Sequence, residues 1–137
     1  MERGAQAWRW VGRSMLWAAI YDFLFAISIL FFTAPAAQLL RLDLPEDLVY
    51  LRFNGIFLLM LGGIYLLPSW QPQRYRGVVA VAVIGRFLGF VYLGSVWFSG
   101  GAATFLWLGF ADLAFSLLHA TLLNRARQLT SSSVSTA

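Results

Sequence analysis

The sequence contains no cysteine and no lysine, and only one histidine, His119. Without cysteine there is no disulfide, thiolate metal centre, iron–sulfur cluster or cysteine nucleophile. A single histidine cannot build a multi-histidine metal centre or a bis-histidine haem within one chain. Charge is also scarce. Charged residues make up 12% of the 137 positions and hydrophobic residues 60%, where a soluble domain carries roughly 25% charge. That leaves too little polar surface to clothe a globule in water, so the solvent for most of the surface is lipid. No glycine-rich phosphate loop, Ser-His-Asp set or HExxH occurs. Gly85-Arg86-Phe87-Leu88-Gly89 is no nucleotide fingerprint, because it lies inside an apolar run with no strand–turn–helix context.

What the chain does have is long apolar runs. The one spanning 78–98 is long enough to cross a bilayer and carries a single arginine, Arg86, near its middle. A charge at that depth costs about 2.5–3.5 kcal/mol on insertion scales. It must therefore face protein or water, and the other segments have to be arranged around it. Three more runs, over 14–32, 47–67 and 103–123, bring the crossings to four. The sequence thus predicts an all-α polytopic membrane protein, a four-transmembrane-helix antiparallel bundle formed by residues 14–127. Pro68 is expected to end the second helix, and Ser99-Gly100-Gly101 is too short for anything but an antiparallel return.

The ends and loops carry their own signals. Residues 1–13 mix Arg9 and Arg13 with Trp8 and Trp10, which predicts a short interfacial segment. A signal peptide is the rival reading, since Ala34-Pro35-Ala36 loosely resembles a cleavage site, but the apolar run before it is too long for a signal core. Residues 33–47 read as a loop with a short surface turn over 38–42. Asp43 is placed to cap the second helix, with Pro45, Glu46 and Asp47 in its first turn. Residues 128–137 end in a low-complexity run and are expected to be disordered.

All ten basic residues are arginine. Arg3, Arg9, Arg13, Arg74, Arg76, Arg125 and Arg127 fall on one side of the expected bundle, while the other side has Arg41 among Asp43, Glu46 and Asp47. The positive-inside rule then places both termini in the cytoplasm, and it explains the net positive charge without nucleic acid.

The charges inside the runs are Asp22, Arg52, Arg86 and Asp112, which sum to zero. At about 1.5 Å per residue, Asp22 and Arg86 lie roughly 12 Å above the inner helix ends and Asp112 roughly 16 Å. Those three are expected to meet near the midplane, and Arg52 either joins them or snorkels to the headgroups. Asn54 and Tyr92 are candidate hydrogen-bonding partners for a ligand, and His119 shares a helical face with Asp112 and Ser116. Gly85 and Gly89 form a small-xxx-small pair beside Arg86. Arg52-Phe53-Asn54-Gly55 echoes Arg86-Phe87-Leu88-Gly89, and Asp22 with Phe25 echoes Asp112 with Phe115. A duplication behind this echo would have inverted topology, though such short matches also arise by chance in so biased a composition. The cluster has two readings: an Asp–Arg network that only fixes helix register, or a site for a proton, an ion or the polar head of a lipidic ligand.

The segment Leu51-Arg52-Phe53-Asn54-Gly55-Ile56-Phe57-Leu58-Leu59-Met60-Leu61-Gly62-Gly63 resembles the opening helix of DoxX-like small membrane proteins, an arginine followed by a glycine-spaced apolar helix. In this chain that helix is the second of four. The resemblance implies a compact four-helix bundle of the bacterial inner membrane. Some such proteins resemble quinone-reducing subunits, most have no assigned activity, and no catalytic residue follows from the likeness. The leading expectation is a non-enzymatic accessory or assembly subunit with a bound lipid or quinone, alone, as a homodimer or within a larger membrane complex. A small dimeric proton- or ion-coupled transporter is the first alternative. A membrane enzyme using an aspartate as general acid on a lipid is the second.

Overall fold

The computed structural model describes residues 2–134, with side chains to Ser131. Its helices are α1 Glu2–Phe31, α2 Thr33–Leu40, α3 Val49–Trp70, α4 Arg76–Phe98 and α5 Ala103–Val134. No strand occurs among the described residues. Four of the helices, all but α2, are long and apolar enough to cross a membrane. They alternate in direction as an antiparallel bundle. α1 packs along both α3 and α5, α5 packs along α4, and α3 and α4 touch only sparsely. The chain therefore forms a bundle whose packing order is α3–α1–α5–α4.

A stripe explains the central place of α1. Trp8, Val11, Met15, Ala18, Ala19, Asp22 and Ala26 recur at helical spacing and are all buried. Small residues bring α3 close to it. A Cβ at Gly62 would sit 2.8 Å from the Phe23 ring, and one at Gly12 would sit 2.8 Å from the Ser69 carbonyl oxygen. In lipid this close approach is what holds helices together, because burial of apolar surface gives no advantage over lipid tails.

The long helices extend well past the sequence expectation at the end of the bundle that carries both termini. Residues 2–13 are not a separate interfacial segment but the first three turns of α1. Trp8 is buried there, and its Nε1 donates to Thr130 Oγ1 (3.1 Å). The partner is the end of α5, where Leu123 and Ala126 join the same core. Residues 128–134, expected to be structureless, are thus helical, and 135–137 lie outside the described residues. Polar composition does not reveal that two long helices support each other beyond the apolar runs.

Three local expectations also change. Pro68 lies inside α3 rather than ending it. It forfeits one N–H bond, but the following turn still closes, with Gln71 N–H on the Leu67 carbonyl (3.0 Å). Asp43 is not a cap. α3 starts at Val49, and Asp47 Oδ1 accepts the Val49 N–H (2.8 Å), so the acidic loop precedes the helix instead of opening it. The surface turn at 38–42 is the end of α2, which closes with Arg41 in a left-handed conformation (φ 53°). Thr104 Oγ1 donates to the Leu40 carbonyl (2.5 Å) and ties α2 to the start of α5.

Candidate ligand cavity and its charged floor

Asp22 on α1, Arg86 on α4 and Asp112 on α5 converge as the depths predict. Arg86 Nη2 donates to Asp22 Oδ1 and Nη1 to Asp112 Oδ1, both at 2.6 Å. Each bond is charge-assisted and short. The guanidinium is further enclosed by aromatic rings, with its Cζ 5.2 Å from the Tyr21 centroid, 5.2 Å from Phe115 and 5.8 Å from Tyr65. Cation–π contact of this kind strengthens where water is excluded. Nothing in the sequence singled out Tyr21 and Tyr65. The available signals were adjacency of Tyr21 to Asp22 and the placement of Tyr65 three residues after the contact glycine Gly62.

The three charges are not equally enclosed. The Asp22 side chain is 2% exposed and that of Asp112 18%. Asp112 owes its place to Gly89. A Cβ there would lie 2.6 Å from Asp112 Oδ2, so only glycine leaves room for the carboxylate against α4. Gly85, its partner in the small-xxx-small pair, has nothing within 4 Å of such a Cβ and takes no part.

Above this layer, on the side of α2, lies a cavity of about 410 Å³. The triad forms its floor. Phe25 and Ile29 of α1, Leu51 and Leu58 of α3, Leu93 of α4, and Phe105 and Leu108 of α5 supply apolar walls. α2 and Leu42–Pro45 close the top, with Asp43 at the mouth. Below the triad the bundle is solid: Val11, Met15, Val79 and His119 are fully enclosed. A mostly apolar hollow with a few convergent polar groups is the ordinary form of a small-molecule site.

The remaining candidates separate. Asn54 lines the cavity wall although it is largely exposed. Arg52 does not line the cavity. It is exposed and outside the ion pairs, so the three charges expected to meet do so without it. The buried stripe of α3 runs through Gly55, Gly62 and Tyr65, and Arg52 projects about 100° away from its centre at 3.6 residues per turn. It also sits one turn into α3, whereas Arg86 is mid-helix in α4, so the echo between them fails in depth. Tyr92 is 68% exposed. At six residues past Arg86 it points about 120° away around the helix.

His119 belongs to a different polar pair in the closed half. Ser14 Oγ donates to the Val11 carbonyl (2.8 Å), which leaves it to accept from His119 Nδ1 at 3.1 Å. His119 Nε2 is buried with no hydrogen-bond partner among the described residues. Ser116, one turn before, donates to the Val83 carbonyl (2.8 Å) and stitches α5 to α4. No group of acidic or histidine side chains suited to a metal ion occurs among the described residues. Comparison of the chain with protein families, with curated proteins and with solved structures returns no match.

Proposed function

We propose that this protein is a small amphiphile-binding bundle of the bacterial inner membrane, with both termini in the cytoplasm, acting as a binding or accessory subunit rather than an enzyme. The observation that carries the reading is the cavity of about 410 Å³ with apolar walls and an ionic floor. A purely structural Asp–Arg network needs no hollow beside it, and lipid-phase bundles otherwise close tightly on small residues. The sparse contact between α3 and α4 supports lateral entry of a lipidic ligand from the bilayer. The arginine-rich end supports the orientation, which turns the α2 side of the cavity toward the outer leaflet. The likeness of residues 51–63 to DoxX-like proteins supports the same setting.

Native mass spectrometry of the full chain in mild detergent, with extraction and identification of bound lipid, tests this. The expected result is a co-purifying amphiphile that is lost in Leu58→Trp, which fills the cavity without touching the charges. A chain that carries no amphiphile, or carries the same one in Leu58→Trp, overturns the reading.

A further inference from the structure

We propose that the cavity selects an amphiphile with a cationic head, an alkylammonium or quaternary ammonium, seated against Asp112. The inference rests on the amphiphile-binding reading above and adds the class of ligand.

Charge is the first argument. The charged side chains lining the cavity are Asp22, Asp43, Asp112 and Arg86, three acids against one base. The formal charges of the triad sum to minus one. No other cation among the described residues lines the cavity: Arg41, between the lining residues Leu40 and Leu42, is exposed and outside the lining. Arg52 is exposed and outside the cavity, and His119 is held by Ser14 in the closed half. An excess negative charge at mid-bilayer depth is costly, and a positive head offsets it.

Access is the second. What a ligand meets on the floor is carboxylate rather than guanidinium. The Asp112 side chain is 18% exposed, against 8% for Arg86 and 2% for Asp22. Arg86 has one Nη committed to each aspartate, and its faces are turned to Tyr21, Tyr65 and Phe115. An anionic head finds no free counter-charge there. At Asp112 a quinone carbonyl, which only accepts hydrogen bonds, meets oxygens that also only accept; the donors of the lining, Tyr21 and Asn54, lie apart from that carboxylate in the walls. The rings of Tyr21, Phe25 and Phe105 in the lining suit an ammonium, which aromatic faces attract, and the aliphatic walls take its tail.

The test keeps one tail and changes the head. The full-length protein in a neutral maltoside detergent is titrated by calorimetry with decyltrimethylammonium, decanol and decanoate. The expected result is that the ammonium binds about tenfold tighter than either of the others. The preference collapses in Asp112→Asn, whose Arg86 still pairs with Asp22. Asn54→Arg, which alters an exposed wall position outside the triad, also weakens ammonium binding, and it serves if Asp112→Asn does not fold. Equal binding of all three probes, or a preference for decanoate, overturns the cationic head while leaving an amphiphile site in place. Binding of none overturns the amphiphile reading itself. An ammonium preference unchanged in Asn54→Arg and in Asp112→Asn removes it from this cavity.

Discussion

One side chain, Arg86, holds three of the four long helices in register, because Asp22 of α1 and Asp112 of α5 each bond to one of its Nη atoms. A buried pair is weak support for stability in itself, yet removing one partner strands the other charge. Arg86→Leu is therefore expected to cost about 3–5 kcal/mol, read as a large fall in thermal stability in detergent. The triple change Asp22→Leu, Arg86→Leu, Asp112→Leu should be markedly milder, since it removes every buried charge together. A single variant as benign as the triple would mean that the triad does not hold the helices. The two glycines beside Arg86 give a finer test. Gly89→Ala must displace the Asp112 carboxylate and should cost about 1–3 kcal/mol. Gly85→Ala meets nothing inside a helix and should leave stability unchanged or raise it by up to about 1 kcal/mol. Indistinguishable melting of the two would show that Asp112 does not rest against α4.

At the scale of elements, α2 decides whether the cavity is covered. It is a short helix that makes few contacts with α1, so its bond from Thr104 Oγ1 to the Leu40 carbonyl is a main tie to the bundle. Thr104→Val keeps the shape and removes the donor, at about 1 kcal/mol. Hydrogen exchange over 33–48 should quicken while exchange in the middle of α1 and α5 stays unchanged. Unchanged exchange over 33–48 would assign the closure of α2 to packing instead. This element was the least legible in the sequence. Thr33–Leu40 is bounded by no strong cap, and Pro35 and the acidic loop after it read as irregular chain. The four crossings were legible because a bilayer imposes length and hydropathy directly on sequence. The Asp22–Arg86–Asp112 meeting was legible because depth follows from residue count at fixed rise. The directions of Arg52 and Tyr92 were not legible, for the complementary reason. Depth says nothing of which way a side chain points, and direction around a helix depends on which neighbour its buried stripe faces. The extended ends of α1 and α5 were missed because their contact, Trp8 with Thr130, spans nearly the whole chain.

Across the whole molecule the two ends differ in both packing and charge. The end with the termini is closed by Val11, Met15, Val79, His119, Leu123 and Ala126, and it carries Arg3, Arg9, Arg13, Arg74, Arg76, Arg125 and Arg127 against Glu2 alone. The opposite end is hollow, with Asp43 in the cavity lining and Glu46 and Asp47 in the same loop, against Arg41 at the end of α2. Arginines near crossing ends resist translocation, whereas acidic residues contribute little. In the orientation proposed above, the same asymmetry decides which side the cavity faces. Because the chain has no cysteine, single introduced thiols report this without background. Gln73→Cys lies exposed in the α3–α4 turn and Ser99→Cys exposed in the α4–α5 turn. In bacterial spheroplasts an impermeant maleimide should label Ser99→Cys promptly and Gln73→Cys only after lysis. The reverse pattern would turn the cavity toward the cytoplasm. Equal labelling of both in intact spheroplasts would mean insertion in two orientations, in which case the arginine bias does not set the topology.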